Sequence, residues 1–314
     1  MQYEDKVLTR TERRIFALRT LYSRAGYRSY RMRKFEDYDL YSRNKDFLLS
    51  DRVITFTDTN GKLKALKPDV TLSIVKNIED RPADLNRLFY DENVYRVSGR
   101  TGTFREIMLM GLECIGDAGN KAAAEVISLA EQSLALLSED YDYILKVSDI
   151  DILTLLIGGM SDSGAVRSEL LRLVSAKNLH GIASLCAEND IPEEKCRTLT
   201  ELLKLYGTPP EVMPRVAEIC KGTEAEDEVS ELEDVLSGLY PEGEGSNERN
   251  IALDFSIVGD TNYYNGMAFE GYIDGIPECV LIGGRYDNLM RRMKKKSRAI
   301  GFAIYMDTLG MRGK

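Results

Sequence analysis

The segment RTGTFREIMLMGLECIG, residues 100–116, sets Arg105 and Glu113 eight residues apart in a run that reads as one strand. Alternation along an extended chain puts Arg105, Ile107, Leu109, Glu113 and Ile115 on one face and Glu106, Met108, Met110 and Cys114 on the other. A cationic end and an anionic end on one apolar floor suit a zwitterion or a phosphorylated small molecule. The plainer alternative is a buried strand whose charged ends stand in solvent.

Few other residues offer chemistry. His180 is the only histidine, so a histidine-rich zinc site is excluded, and a Ser-His-Asp or Cys-His mechanism would have to run through that one residue. It sits in AKNLHGIASL, which reads as a helix junction and suits a surface or capping role. The five cysteines, at 114, 186, 196, 220 and 279, contain no CxxC pair and fit a reducing cytoplasm. No metal or cofactor is expected.

The elements that must carry these residues follow from periodicity. With 314 residues, 43% of them hydrophobic, a full-sized core is available. The net charge of −9 argues against a general nucleic-acid binder, although basic residues gather between Arg10 and Lys34 and in RRMKKKSR at 291–298. No apolar run reaches the ~18 residues of a membrane span, and the start MQYEDKVLTRTERR is too charged for a signal sequence.

Residues 9–25 predict a helix ending at Gly26. The next expected elements are a hairpin turning at Asn60-Gly61 and a helix starting after Pro68, with Asp69 and Thr71 in its first turn. NRLFYDENVYRV and FREIMLMGLECIG predict two strands, and 120–137 an amphipathic helix. From about 149 to 240 the pattern is helical, and 221–249 carries ten acidic residues against two basic ones, with an exposed linker expected at its end. Strand signals return in NIALDFSIV and MAFEGYIDGIPECVLIGG, before a last helix or strand pair through SRAIGFAIYMDTLGM.

Four stretches in this order, LKPDVT, VYRVSGRTGTFREIMLMGLECIG, NYYNGMAFEGY and IGGRYDNL, resemble the catalytic core of class II aminoacyl-tRNA synthetases, specifically the histidyl enzyme. GYRSYRMRKFEDYDLY resembles that family's dimer-forming first motif, with Arg33 where a proline is characteristic. The resemblance covers about 10 to 310. It implies an α+β fold, an antiparallel sheet flanked by helices, with the core at 1–148 and 250–314 and a helical insertion at 149–249.

The resemblance also implies a site. Arg96 matches the arginine that holds the ATP α-phosphate; Asp69, Thr71 and Glu113 match positions that hold the amino group of histidine; Tyr263, Tyr264 and Tyr286 match its side-chain pocket. Arg105 and the loop arginines are expected at the anionic end of the ligand. Departures accompany these matches: Leu109 replaces a glutamine, Gly259 and Thr308 replace arginines, Asn262 replaces an aspartate, and Ser98 and Gly99 replace a charged pair in a loop about one residue short. Adenylation joins a carboxylate to a polyanion, and losing one charge-stabilising group commonly costs ~2.7–4 kcal/mol.

The chain stops just after the third motif, so the anticodon-binding domain is expected to be absent, and the helical stretches KVSDIDILTLLIGGM, LLRLVSAKNLHGIASL and LLKLYGTPPEVM resemble those of the ATP phosphoribosyltransferase regulatory subunit family. That likeness implies a cytoplasmic, non-catalytic homodimer that enables a short-form catalytic transferase in histidine biosynthesis. Histidine is then a candidate feedback ligand, and tRNA is not expected as a partner. Two rivals stand beside it: a truncated synthetase-like enzyme using Arg96, Arg100, Arg105 and Arg285, and an RNA-contacting module using 291–298.

Overall fold

The computed structural model describes residues 7–48, 52–98, 101–240, 249–259 and 263–311. In chain order its elements are α1 (Arg10–Arg24), β1 (Arg28–Ser29), β2 (Phe35–Asp37), α2 (Tyr38–Ser42), β3 (Thr55–Thr57), β4 (Leu63–Leu66), α3 (Thr71–Asn77), β5 (Leu85–Val97), β6 (Phe104–Gly116), α4 (Asn120–Ser138) and β7 (Tyr143–Asp149). Then follow α5 (Ile150–Met160), α6 (Gly164–Ser175), α7 (Leu179–Glu188), α8 (Glu193–Lys204), α9 (Pro209–Cys220), α10 (Glu226–Ser237), β8 (Ile251–Leu253), β9 (Met267–Ile273), β10 (Leu281–Arg285), α11 (Asp287–Arg292) and β11 (Arg298–Tyr305).

Local chemistry sets the element ends. Thr9 and Glu12 form a reciprocal capping box that satisfies free N–H groups at the start of α1. In the β3–β4 hairpin Gly61 takes φ +76°, which glycine adopts without strain, and the Asp58 carboxylate accepts from the Asn60 and Lys62 N–H groups. His180 is exposed in the first turn of α7, one residue inside Leu179, with Asn178 as the cap.

Eight strands form one sheet in the order β1-β5-β6-β11-β10-β9-β7-β8; β1 joins β5 and β8 joins β7 in parallel, and the inner pairs are antiparallel. A three-stranded sheet, β2-β4-β3, stands apart. The expected fold class, a synthetase-like antiparallel sheet flanked by helices, is the one observed.

Alternation divides the large sheet into two faces. Met110, Leu112 and Cys114 of β6 join Phe302, Phe269 and Leu145 in an apolar core that continues through α1 and α4 into α5–α10. Tyr22 sits in it, 5.9 Å from the Phe89 ring centre and 6.1 Å from that of Phe302. Leu109 and Ile115 point the other way, into a second core with α2, α3, β4 and α11. The sheet is thereby backed by helices on one face and carries the cavity described below on the other.

Two elements differ from expectation. β7 is absent from the expected elements: Leu145 and Val147 alternate with Lys146 and Ser148 over only a short run, and the strand feeds directly into α5. The last segment is neither a helix nor a strand pair but the single strand β11 and a 3₁₀ turn over Thr308–Met311. The expected linker at the end of 221–249 lies largely outside the described residues. Among those described, no helix is long and apolar enough to cross a membrane, and no group of three or more acidic, cysteine or histidine side chains is placed to hold a metal ion.

Candidate functional site

A cavity of about 170 Å³ opens on the face of the large sheet opposite α4. Its room comes from small residues in register: Glu113 of β6 pairs with Gly301 of β11, Gly301 with Gly284 of β10, and Gly284 with Ala268 of β9. A methyl group at Gly301 would lie 2.0 Å from Glu113 Oε2, and one at Gly284 would lie 2.7 Å from the Tyr264 ring. Glycine at both positions lets the cavity's side chains lie flat on the sheet. The neighbouring Gly283 serves the opposite face, where a methyl would meet the Phe269 ring at 2.4 Å.

Glu113 is 2% exposed, and its two oxygens accept from Thr71 Oγ1 at 2.7 Å and Tyr286 Oη at 2.6 Å. Burial pushes its carboxyl up to about 8; the two hydroxyl donors oppose this, and the charge of Asp69 adds to it. Asp69 precedes α3, and its Oδ1 accepts from the Leu72 N–H at 2.8 Å. Burial raises its carboxyl too, against the backbone N–H groups of Leu72 and Thr71 and the charge of Arg96. The expected placement of Asp69 and Thr71 in one helix start is thus met, and it brings both to Glu113.

Aromatic rings wall the cavity. The Tyr263 ring centre is 4.7 Å from that of Tyr264 and 6.0 Å from that of Tyr286, and Phe47 backs Tyr263 at 6.2 Å. Arg96 donates from Nε to the Pro68 carbonyl at 2.9 Å and lies 6.0 Å from the Tyr305 ring centre. Leu109 lines the wall between these groups and, as an alkyl side chain, brings no donor or acceptor.

Seven of the eight expected site residues therefore meet around one cavity: Asp69, Thr71, Arg96, Glu113, Tyr263, Tyr264 and Tyr286. Arg105 does not. It shares the face of β6 with Glu113, eight residues away, but is exposed and outside the cavity lining, whereas its register partner Arg96 on β5 lines it. The strand that raised the question of a two-ended pocket floor supplies one end only; the cation comes from Arg96 on the paired strand β5.

The arginine replacements have a structural expression. Gly259 lines the cavity at φ +57°, and a β-carbon there would press the Tyr264 ring at 3.3 Å. A larger side chain would meet both a left-handed backbone and a crowded ring. Thr308 turns its hydroxyl onto the Tyr305 carbonyl at 2.6 Å, satisfied within its own turn. Arg285 is buried away from the cavity, donating to the Ala118 carbonyl at 2.8 Å. Arg100, Gly99 and Asn262 lie outside the described residues.

Three lining residues with polar side chains lie beyond the sequence expectation: Tyr90, Tyr305 and Glu270. Glu270 on β9 accepts from Tyr272 Oη at 2.5 Å. Strand alternation from Ala268 would have put it on the cavity face, but only the pairing of Glu270 with Ile282 and of Ile282 with Ala303 brings it to the same floor. Among the described lining residues the charged groups are then three carboxyls, Asp69, Glu113 and Glu270, and one cation, Arg96. Such a lining attracts ammonium-bearing molecules and repels polyphosphates.

Comparison with known proteins agrees with this geometry. The chain is 26% identical over 288 residues to the ATP phosphoribosyltransferase regulatory subunit of Alkaliphilus metalliredigens, covering 90% of this chain and 72% of the relative. An ATP phosphoribosyltransferase regulatory subunit/histidyl-tRNA synthetase structure from Bacillus halodurans superposes with a TM-score of 0.81 at 23% identity, covering 95% of this chain and 78% of that one. A chain of the ATP phosphoribosyl transferase (HisG:HisZ) complex from Thermotoga maritima superposes with a TM-score of 0.70 at 17% identity, covering 95% and 98%. The family model described as Histidyl-tRNA synthetase matches residues 5–309, so the chain belongs to the histidyl-tRNA synthetase family.

Proposed function

We propose that this chain is a non-catalytic regulatory subunit of ATP phosphoribosyltransferase, acting in histidine biosynthesis with a short-form catalytic subunit. The observation that carries the reading is the imbalance of the cavity. Glu113 keeps both hydroxyl partners, Thr71 and Tyr286, although Leu109 brings no polar group to the amino-acid corner, while the phosphate side has Gly259 in place of an arginine and Arg96 as the one cation among the described lining residues. A site of this composition holds an amino acid and fails to activate it. The relatives named as regulatory subunits support the same reading.

In this reading the protein works in the cytoplasm as a homodimer. Residues 1–148 and 250–314 form the synthetase-like core, and 149–249 form a helical insertion. The first-motif stretch would supply the two-fold interface, where exposed Phe35 and Phe56 stand edge to face at 5.1 Å. Histidine is the ligand of the cavity, and its feedback effect needs different affinities in two states of the assembly.

The test is reconstitution. Purified protein mixed with a short-form transferase is expected to co-elute with it and to raise phosphoribosyl transfer, and histidine to lower that activity. Absence of a complex, together with histidine-dependent ATP–pyrophosphate exchange by this chain alone, would favour the synthetase-like enzyme instead.

A further inference from the structure

Glu113 sits in the cavity without a counter-cation. Both of its oxygens are taken by neutral hydroxyls, Thr71 from α3 and Tyr286 from the β10–α11 connection, and no ion pair to Glu113 or Asp69 is formed among the described residues. The other charged or titratable groups facing it are Asp69 before α3, Tyr90 and Arg96 on β5, and Tyr263 beside Tyr264. Arg96, the nearest cation of the lining, gives its Nε–H to the Pro68 carbonyl and its charge to Asp69. Across the sheet Gly301 contributes no side chain at all.

Two carboxyls of unequal support thus share one wall. Asp69 receives backbone N–H groups and the field of Arg96, which favour its anion. Glu113 receives only hydroxyls, and a hydroxyl can turn round: either can donate to a carboxylate or accept from a carboxylic acid without a change of position. The network therefore fits Glu113 in both protonation states, and burial beside Asp69 favours the neutral one.

We propose that Glu113 carries a proton at neutral pH in the ligand-free protein and releases it to solvent when a cationic group enters the cavity, so that ligand binding here is coupled to proton release. The step is the breaking of the Glu113 O–H bond, with the proton passing to buffer and the carboxylate pairing with the incoming ammonium or imidazolium. The inference rests on the proposed amino-acid reading only for the choice of probe.

Two measurements on the full chain decide it. Carbon-13 NMR of glutamate-labelled protein is expected to show one carboxyl titrating near 8, absent in Glu113→Gln and moved upward in Tyr286→Phe, which loses a hydroxyl that supports the anion. A purely structural Tyr286 would not move that midpoint. Calorimetry with histidine at pH 7 in buffers of different ionisation enthalpy is expected to give about one proton released per ligand bound, and Glu113→Gln to give none.

Every glutamate titrating in the ordinary range overturns the proposal, and so does histidine binding without proton release. If histidine does not bind but histamine does, with proton release, the histidine reading falls and this inference stands. If neither binds at millimolar concentration, both fall.

Discussion

Replacing Glu113 by glutamine keeps the shape and hydrogen-bonding capacity of a side chain held by Thr71 and Tyr286 while removing its ionisation. In the unfolded chain the carboxyl titrates at its ordinary 4.5 and in the folded protein at about 8. Between those values the folded state holds a proton that the unfolded state has lost. Stability therefore falls as pH rises through this window, by ~1.36 kcal/mol per unit.

The full loss, in place above the folded value, is roughly 5 kcal/mol, and the share between pH 6 and pH 8 is roughly 2 kcal/mol. Urea denaturation of wild type and Glu113→Gln at both pH values is expected to show the variant gaining that difference on wild type as pH rises. Asp149, which burial lifts to about 7, titrates in both proteins and cancels in the comparison. Parallel loss of stability in the two proteins would refute the placement of Glu113 as a buried carboxyl without a counter-cation.

Three further outcomes are expected. Gly301→Ala would bring a methyl to 2.0 Å from Glu113 Oε2 and 2.5 Å from the Leu112 carbonyl, costing ~1–3 kcal/mol in urea denaturation and lowering histidine affinity in calorimetry. Asp254, 1% exposed, accepts from Lys177 at 2.9 Å and Lys146 at 3.3 Å, and because both lysines keep contact with solvent, Asp254→Asn should cost ~1.5–3 kcal/mol and speed hydrogen exchange around 177 and 254. Burial opposes the Asp254 anion but its bonds to Ser256 and Lys177 outweigh this, so the stability it gives to wild type is present above its ordinary 3.8 and is lost as pH falls through its lower folded value. Thr9→Ala removes the cap of α1 and should cost ~0.5–2 kcal/mol by the same denaturation assay, with no change in histidine affinity.

The parts of the fold legible in the sequence are those with a local physical signature. α1 announces itself by Ile15, Leu18, Leu21 and Tyr22 at helical spacing before Gly26, the β3–β4 turn by Asn60-Gly61, and β6 by alternation, which assigns Leu109 and Glu113 to one face and Met110 and Cys114 to the other. β7 has only a short one, Leu145 and Val147 alternating with Lys146 and Ser148 before Asp149 caps α5. Sheet order has none: β6 lies between β5, its neighbour in sequence, and β11, from the far end of the chain. That non-local pairing is what closes the cavity.

The same distinction runs through the site. Residue type and face are readable for Glu113, Asp69 and Thr71, but nothing in the strand pattern says that Arg96 and not its register partner Arg105 lines the cavity. Sequence likewise shows two adjacent glycines at 283 and 284 without saying that one relieves the core face and the other makes room for Tyr264.

The consequence reaches function. The row Glu113–Gly301–Gly284–Ala268 keeps space and a carboxyl at the corner that the proposed reading gives to an ammonium, and Gly301 and Gly284 leave no room for a β-carbon. In the same reading the phosphate side needs long cationic side chains, and Gly259 and Thr308 stand at two such positions outside the strands of the sheet. On that proposal, activation chemistry is lost through a few side chains while the carboxyl built into strand register stays available to a ligand.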